Sequence, residues 1–300
     1  MPNMNTPLPG ITPGNRPKVL FLGNGINLCW NGTKWSDIIS GYASESGIEY
    51  DKAVFDKLPA TLQIVAATGD HINSNMSSMA ETLLSAELCD EHRSFLGEVL
   101  ALPFDQIITT NYTYELEKTM EPRYSRGTSR FSTFYSVDKI SRSNDLMLHR
   151  FTKLPYAGAD KYVWHIHGIA YKPSSIIIGH YYYGKLVSQI QSYVGKMMSR
   201  YKTAETTSEE YKPLSWIDYF MLGDVYMLGF GLDPAEFDVW WLACCKKRNS
   251  PNSKICYYSK ETAREQELLL NAYGLKKVSI EADGYLEFYR KALEKIKTEL

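Results

Sequence analysis

The stretch Lys18-Val19-Leu20-Phe21-Leu22-Gly23-Asn24-Gly25-Ile26-Asn27 decides the fold. Val19 to Leu22 are apolar at every position rather than at every second one, the pattern of a strand covered on both faces, as in a parallel sheet between helices. The run stops on two glycines one residue apart. A turn into a helix needs one glycine, whereas two let another group come close to the backbone.

Five more strand-like runs follow, over 106–110, 162–166, 225–229, 254–258 and 276–281. Most are followed by helical spacing, and strands alternating with helices predict a parallel sheet with helices on both sides. The expected fold is therefore α/β: a Rossmann-like three-layer domain with a mostly parallel six-stranded sheet. Residues 1–16, with four prolines, are expected to be a flexible leader ahead of one domain over 17–300. Two intervals are too long for plain crossovers. Helical spacing at Met79, Leu83, Leu84 and Leu88, then Phe95 and Val99, predicts a helical insertion over about 36–102. Residues 122–160 show no period and hold seven Arg or Lys, so they read as an irregular, basic, solvated insertion. Further on, Asp233-Pro234-Ala235-Glu236 announces a helix over 235–248, and Gly274 closes one over 262–273. A last amphipathic helix is expected from about 285 to 297.

Composition narrows the function classes. With 33 basic and 34 acidic side chains the net charge is −1, which gives no electrostatic footprint for nucleic acid or an anionic membrane. Five cysteines show no C-x-x-C pair and no histidine at zinc spacing, the usage of free thiols in a reducing cytoplasm. No run reaches the ~18 apolar residues of a membrane span, and the start lacks a secretory pattern. The expectation is a soluble cytoplasmic protein with neither metal nor direct nucleic-acid contact.

The chemistry is concentrated at strand ends. The first strand exits into Gly23-Asn24-Gly25-Ile26-Asn27, the second into Thr110-Asn111-Tyr112, the third into His167-Gly168 and the fourth into Gly229-Phe230-Gly231. In an open parallel sheet these positions line the ligand crevice. Alone, each is weak: Gly23-x-Gly25 lacks the third glycine of the dinucleotide fingerprint, because Leu28 holds its place, and no Gly-Lys-Ser/Thr follows. Asn111 by itself would read as an Asx turn closing a strand. Period two places His165 and His167 on one side of their strand; His165 lies deeper and reads as structural. His167, at the exit, can reach a substrate, and imidazole titrates near neutral pH. Asp233, Glu236 and Asp238 crowd the start of the 235–248 helix, where they would repel phosphate, so a pyrophosphate belongs at Gly23 to Asn27.

Taken together, these residues resemble the sirtuin family, and most closely the zinc-free sirtuin-like domains of bacterial anti-phage defence systems. The matching motifs are Gly23-Asn24-Gly25-Ile26-Asn27, Thr110-Asn111-Tyr112, His167-Gly168, Ile176-Ile177-Ile178-Gly179 with the tyrosines to Tyr183, and Gly229-Phe230-Gly231 before a tryptophan-rich helix. The resemblance spans roughly 17–290. It implies NAD+ as substrate and cleavage of the bond between nicotinamide and ribose. Asn111 would position the ribose hydroxyls and the attacking water, and His167 would act as base. Gly23, Asn24, Gly25 and Asn27 would hold the pyrophosphate, with Thr110, Gly168, Gly229 and Gly231 completing the site.

The chain departs from deacetylating sirtuins in three places. The four zinc cysteines are absent. Thr113 stands where an aspartate follows the asparagine, which leaves nicotinamide recognition to Asp37 or Glu115 as alternatives. The loop after Asn27 lacks the family's proline, aspartate, phenylalanine and arginine run. The resemblance thus implies an NAD+ glycohydrolase that depletes NAD+ in abortive infection. It would act as a homo-oligomer or with a HerA-type ATPase/helicase or Argonaute-like partner, met through the basic 123–153 segment or the helix of Trp240 and Trp241, although those tryptophans read better as core packing against the sheet. The alternatives are an NAD+-dependent protein deacylase or ADP-ribosyltransferase, and a non-catalytic sensor of NAD+ or ADP-ribose.

Overall fold

The apolar run that opens the domain is β1 (Lys18–Leu22), and its side chains divide cleanly between two cores. Val19 and Phe21 pack with one buried cluster, Leu20 and Leu22 with another, as the two-residue period of a strand requires. The computed structural model describes residues 8–30, 32, 34–46, 51–68, 76–84, 88–120, 135–136, 148–234 and 236–300. After β1 come a 3₁₀ segment, Asn24–Trp30, and then α1 (Trp35–Ser46), α2 (Lys52–Phe55), α3 (Ala60–Thr68), α4 (Met76–Leu84) and α5 (Asp90–Ala101). The chain continues through β2 (Gln106–Thr109), α6 (Glu115–Met120), β3 (Tyr135–Ser136), β4 (Arg150–Tyr156), β5 (Ala159–His165), α7 (His180–Thr207) and α8 (Trp216–Leu222). It ends with β6 (Asp224–Leu228), α9 (Phe237–Asn249), β7 (Ile255–Ser259), α10 (Arg264–Tyr273), β8 (Leu275–Ser279) and α11 (Tyr285–Glu299).

The sheet order is β3-β4-β5-β2-β1-β6-β7-β8. From β5 to β8 every pairing is parallel, and renumbered by appearance those six strands run 3-2-1-4-5-6, the doubly wound order. All six sequence-predicted strands fall in this block. The fold is thus α/β with a mostly parallel, Rossmann-like sheet, but the sheet is wider than six: β4 adds a seventh strand, antiparallel to β5, and two-residue β3 pairs with its outer edge. The β4–β5 turn is Ala157-Gly158, with φ of 48° and 86°, and both positive values are what a two-residue hairpin of matching twist demands. Pro155 is tolerated because β4 lies near the sheet edge. Part of the interval read as an irregular basic insertion is therefore sheet; most of its basic residues lie outside the described ones.

Helices cover both faces. α7, α8 and α9 close the Val19/Phe21 side, through Leu186, Ile190, Val194, Trp216 and Trp240, while α5 and α11 close the other, through Phe95, Val99, Phe288 and Leu293. Burying such side chains contributes about 1.5–3 kcal/mol each, so the two layers supply most of the drive to fold. A third cluster, with Ile39, Ile64, Met79 and Leu83 of α1, α3 and α4, also takes in Tyr112 and Ile178, just past the strand ends. The helices inserted between β1 and β2 thereby sit over the carboxyl edge of the sheet. No helix among the described residues is long and apolar enough to cross a membrane.

Two local expectations shift and a third holds. The segment read as a flexible leader is docked from Pro9 on: Ile11 is buried and exchanges two backbone hydrogen bonds with Tyr211, and Tyr219 donates to the Pro9 carbonyl. The helix announced at Asp233 starts at Phe237, with Glu236 at its N-cap, because the Asp233 carbonyl is occupied by the Glu236 N–H and the Trp240 indole. Gly274 does cap α10 in the left-handed region, at φ 77°.

Candidate functional site

A cavity of about 420 Å³ lies over the carboxyl ends of β1, β2, β5 and β6, with Ile38 of α1, Thr61 of α3 and Leu83 of α4 on its helical side. This is the switch point of the strand order, where an open α/β sheet presents its crevice. Gly23, Asn24, Gly25, Thr110, Asn111, His167, Gly229 and Gly231 all line it. Asn27 and Gly168 do not. The Asn27 side chain is buried, taking a hydrogen bond from His92 and giving one to Asn24. Gly168 serves packing: at φ 87°, a Cβ there would lie 2.0 Å from the Ser175 carbonyl oxygen.

The two glycine loops are built against each other. Gly23 N–H donates to the Leu228 carbonyl at 2.9 Å and Gly25 N–H to the Gly229 carbonyl at 2.8 Å. A Cβ on Gly25 would meet that carbonyl oxygen at 2.7 Å, so backbone contact between the loops, not contact with a ligand, is what requires glycine here. These two amides are engaged with the opposing loop rather than turned toward the cavity. Among the described residues lining the cavity, Lys34 is the only lysine or arginine.

Asn111 follows β2 directly. Its N–H donates to Thr109 Oγ1, which in turn donates to the Leu22 carbonyl, so the loop is tied to the end of β1. The Asn111 Oδ1 is buried and has no hydrogen-bond partner among the described residues. An orphaned buried acceptor costs about 1–3 kcal/mol.

Two residues past β5, His167 is buried, and its Nε2 lies 2.7 Å from Oδ2 of Asp238, itself buried in the first turn of α9. A carboxylate accepts, so Nε2 carries a proton, and in the neutral ring the lone pair is on Nδ1. Asp238 is the functional side chain that sequence reasoning missed. From sequence it reads only as one of the acids that crowd the start of that helix and repel phosphate.

No protein-family model and no curated protein matches this chain.

Part of the remaining wall is acidic. Glu236 lines the cavity, and burial first, then the neighbouring Asp238 charge, pushes its carboxyl up to about 7. Glu115 also lines the cavity, its carboxyl raised mainly by burial although Thr113 Oγ1 donates to it. Asp37, the other candidate for ligand recognition, is engaged by the Lys34 N–H and is not among the lining residues. The wall from α1, α3 and α4 is apolar apart from Thr61, whose buried Oγ1 is likewise unpaired among the described residues. One end of the cavity therefore offers an amide, an imidazole and carboxylates, and the other a surface suited to a flat apolar ring.

Proposed function

We propose that this chain is an NAD+ glycohydrolase of the sirtuin-like kind, cleaving NAD+ to nicotinamide and ADP-ribose. The observation that carries the reading is the convergence of Asn111 and the His167–Asp238 pair on one cavity at the switch point of a doubly wound sheet. In the reaction the C–N bond to ribose breaks, its electron pair goes to the pyridinium nitrogen, and neutral nicotinamide leaves. Water adds to the anomeric carbon and His167 Nδ1 takes its proton, with Asp238 stabilising the imidazolium. Asn111 orients the ribose hydroxyls and the water. Because the leaving group is neutral, placement and base assistance supply most of the acceleration.

Lys34 balances the pyrophosphate, while the glycine loops form the floor. Water is the acceptor because no zinc module shapes a peptide groove in this sequence. The biological setting follows from the resemblance alone: an NAD+-depleting effector of a bacterial anti-phage system, silent until it assembles with itself or with a HerA-type or Argonaute-like partner.

The test is to incubate the purified chain, alone and with the product of the neighbouring gene, with NAD+ and to follow nicotinamide and ADP-ribose by chromatography. Release of both without a protein substrate is expected. Product only with an acylated peptide would instead mean a deacylase, and binding without product a sensor. His167→Ala and Asn111→Ala should each abolish turnover while leaving the folded state intact.

A further inference from the structure

Beneath Asn111 lies a second histidine–carboxylate pair that the reaction does not use. His165 Nδ1 is 2.7 Å from the Asn111 carbonyl oxygen and its Nε2 is 2.9 Å from Oε1 of Glu117. All three residues are buried, His165 to 2 % and Glu117 to 1 % exposure. Facing a carbonyl, Nδ1 can only donate; facing a carboxylate, Nε2 donates as well, so both ring nitrogens carry protons. The same Glu117 oxygen accepts from Thr152 Oγ1 at 2.6 Å, so β4, α6, β5 and the β2 loop are tied together at this point. The Tyr114 ring packs edge-on against the imidazole. Burial by itself would lower the His165 pKa, but the Glu117 carboxylate and the Asn111 carbonyl more than reverse this, and the net direction is up.

A buried ion pair is a poor way to gain stability, since desolvation offsets most of its attraction. Its geometry nevertheless fixes one thing. The Asn111 backbone is held from one side by Thr109 Oγ1 and from the other by His165, whereas its side-chain Oδ1 has no partner among the described residues. We infer that Glu117 and His165 are positioning residues: the carboxylate orients the imidazole, the imidazole pins the Asn111 carbonyl, and the pin sets where the Asn111 amide meets the ligand. What Asn111 does there rests on the NAD+ reading; how it is held does not.

The test compares His165→Asn with His165→Leu. The asparagine amide nitrogen takes the place of Nδ1 and still donates to the Asn111 carbonyl but cannot reach Glu117; leucine does neither. Both variants lose the Glu117 contact, and His165→Leu, which also orphans the Asn111 carbonyl, should be the less stable of the two. Only His165→Leu should lose turnover, by about 100-fold in kcat with KM within about three-fold, while His165→Asn stays within about ten-fold of wild type. Equal kcat in the two variants, or an effect confined to KM, overturns the proposal. Should His165→Leu not fold, Glu117→Leu keeps the histidine but removes its orienting carboxylate and should cost about ten-fold in kcat at constant KM; full kcat overturns it.

A second readout is independent of substrate. With 15N-asparagine labelling, the Asn111 side-chain amide resonance, assigned with Asn111→Asp, should move in His165→Leu and return in His165→Asn; an unmoved resonance overturns the proposal. If that pattern appears while the wild type leaves NAD+ intact, the NAD+ reading falls and the support stands.

Discussion

His167 Nε2 and Asp238 Oδ2 are 2.7 Å apart although 71 residues separate them in sequence, one at the exit of β5 and the other in the first turn of α9. In the neutral ring the contact fixes the tautomer, because the carboxylate must accept, and leaves the lone pair on Nδ1, the base of the proposed reaction. Asp238→Asn keeps the size but presents an amide that can donate to Nε2, which favours the opposite tautomer. Turnover of NAD+ should fall by roughly 10²- to 10⁴-fold while KM stays within a few-fold. Steady-state kinetics decide it. An Asp238→Asn enzyme with near-normal kcat would show that the pair is structural only.

Gly25 offers a test of the loop packing that is separate from chemistry. A methyl group there would lie 2.7 Å from the Gly229 carbonyl oxygen and 2.6 Å from the Tyr289 hydroxyl. Tyr289 is a side chain and can yield, but the carbonyl is part of the opposing loop and already accepts the Gly25 N–H. Gly25→Ala should therefore cost about 1–3 kcal/mol and weaken binding of ADP-ribose, and adding Tyr289→Phe should not restore either. Thermal melts and calorimetric titration provide the two readings. A variant with wild-type melting temperature and affinity would contradict the tight backbone contact.

These residues also show what a sequence displays and what it hides. β1 was legible because a strand buried on both faces is apolar at every position, and the six parallel strands share that signature to differing degrees. β4 was hidden because Pro155 interrupts it and its turn is Ala157-Gly158 rather than the Asn-Gly pair that signals a hairpin; the positive φ of Ala157 is imposed by strand pairing, not by its own preference. Ile11 was read with the prolines around it, since nothing local says that it pairs with Tyr211. At the site, strand ends could be read because topology brings them together. Asp238 could not, because an acid in a first helical turn already has a local explanation, and its use by His167 depends on where α9 lies across the sheet. The consumption of the Gly23 and Gly25 amides was equally invisible, as it depends on how close β6 lies to β1.

Lys246 tests the rear of the sheet. It is 1 % exposed and its ammonium donates to the carbonyls of Phe220, Met221 and Gly223, the orphan acceptors at the end of α8. Lys246→Met keeps the length of the side chain and leaves three buried carbonyls without that donor. A loss of about 2–5 kcal/mol is expected in urea denaturation, with no change in the ratio of kcat to KM for the folded fraction. A loss below about 1 kcal/mol would mean that water replaces the ammonium there.

Glu236 links pH to both stability and binding. Its carboxyl titrates at about 7 in the folded chain because burial and the Asp238 charge disfavour ionisation, whereas in the unfolded chain it titrates at the ordinary 4.5. Between these values the folded state holds a proton that the unfolded state has released, so this group makes stability fall as pH rises from about 4.5 to about 7. Glu236→Gln cannot ionise and removes that slope. The melting temperature of the variant minus that of wild type should therefore increase by a few degrees across the window and level off above it. The same substitution should flatten the loss of affinity for ADP-ribose on going from pH 6 to pH 8, since a charged Glu236 repels the pyrophosphate in a cavity whose only lysine or arginine among the described residues is Lys34. Parallel melting curves for the two proteins would show that Glu236 is ionised throughout, and identical affinity profiles would place the pyrophosphate away from α9.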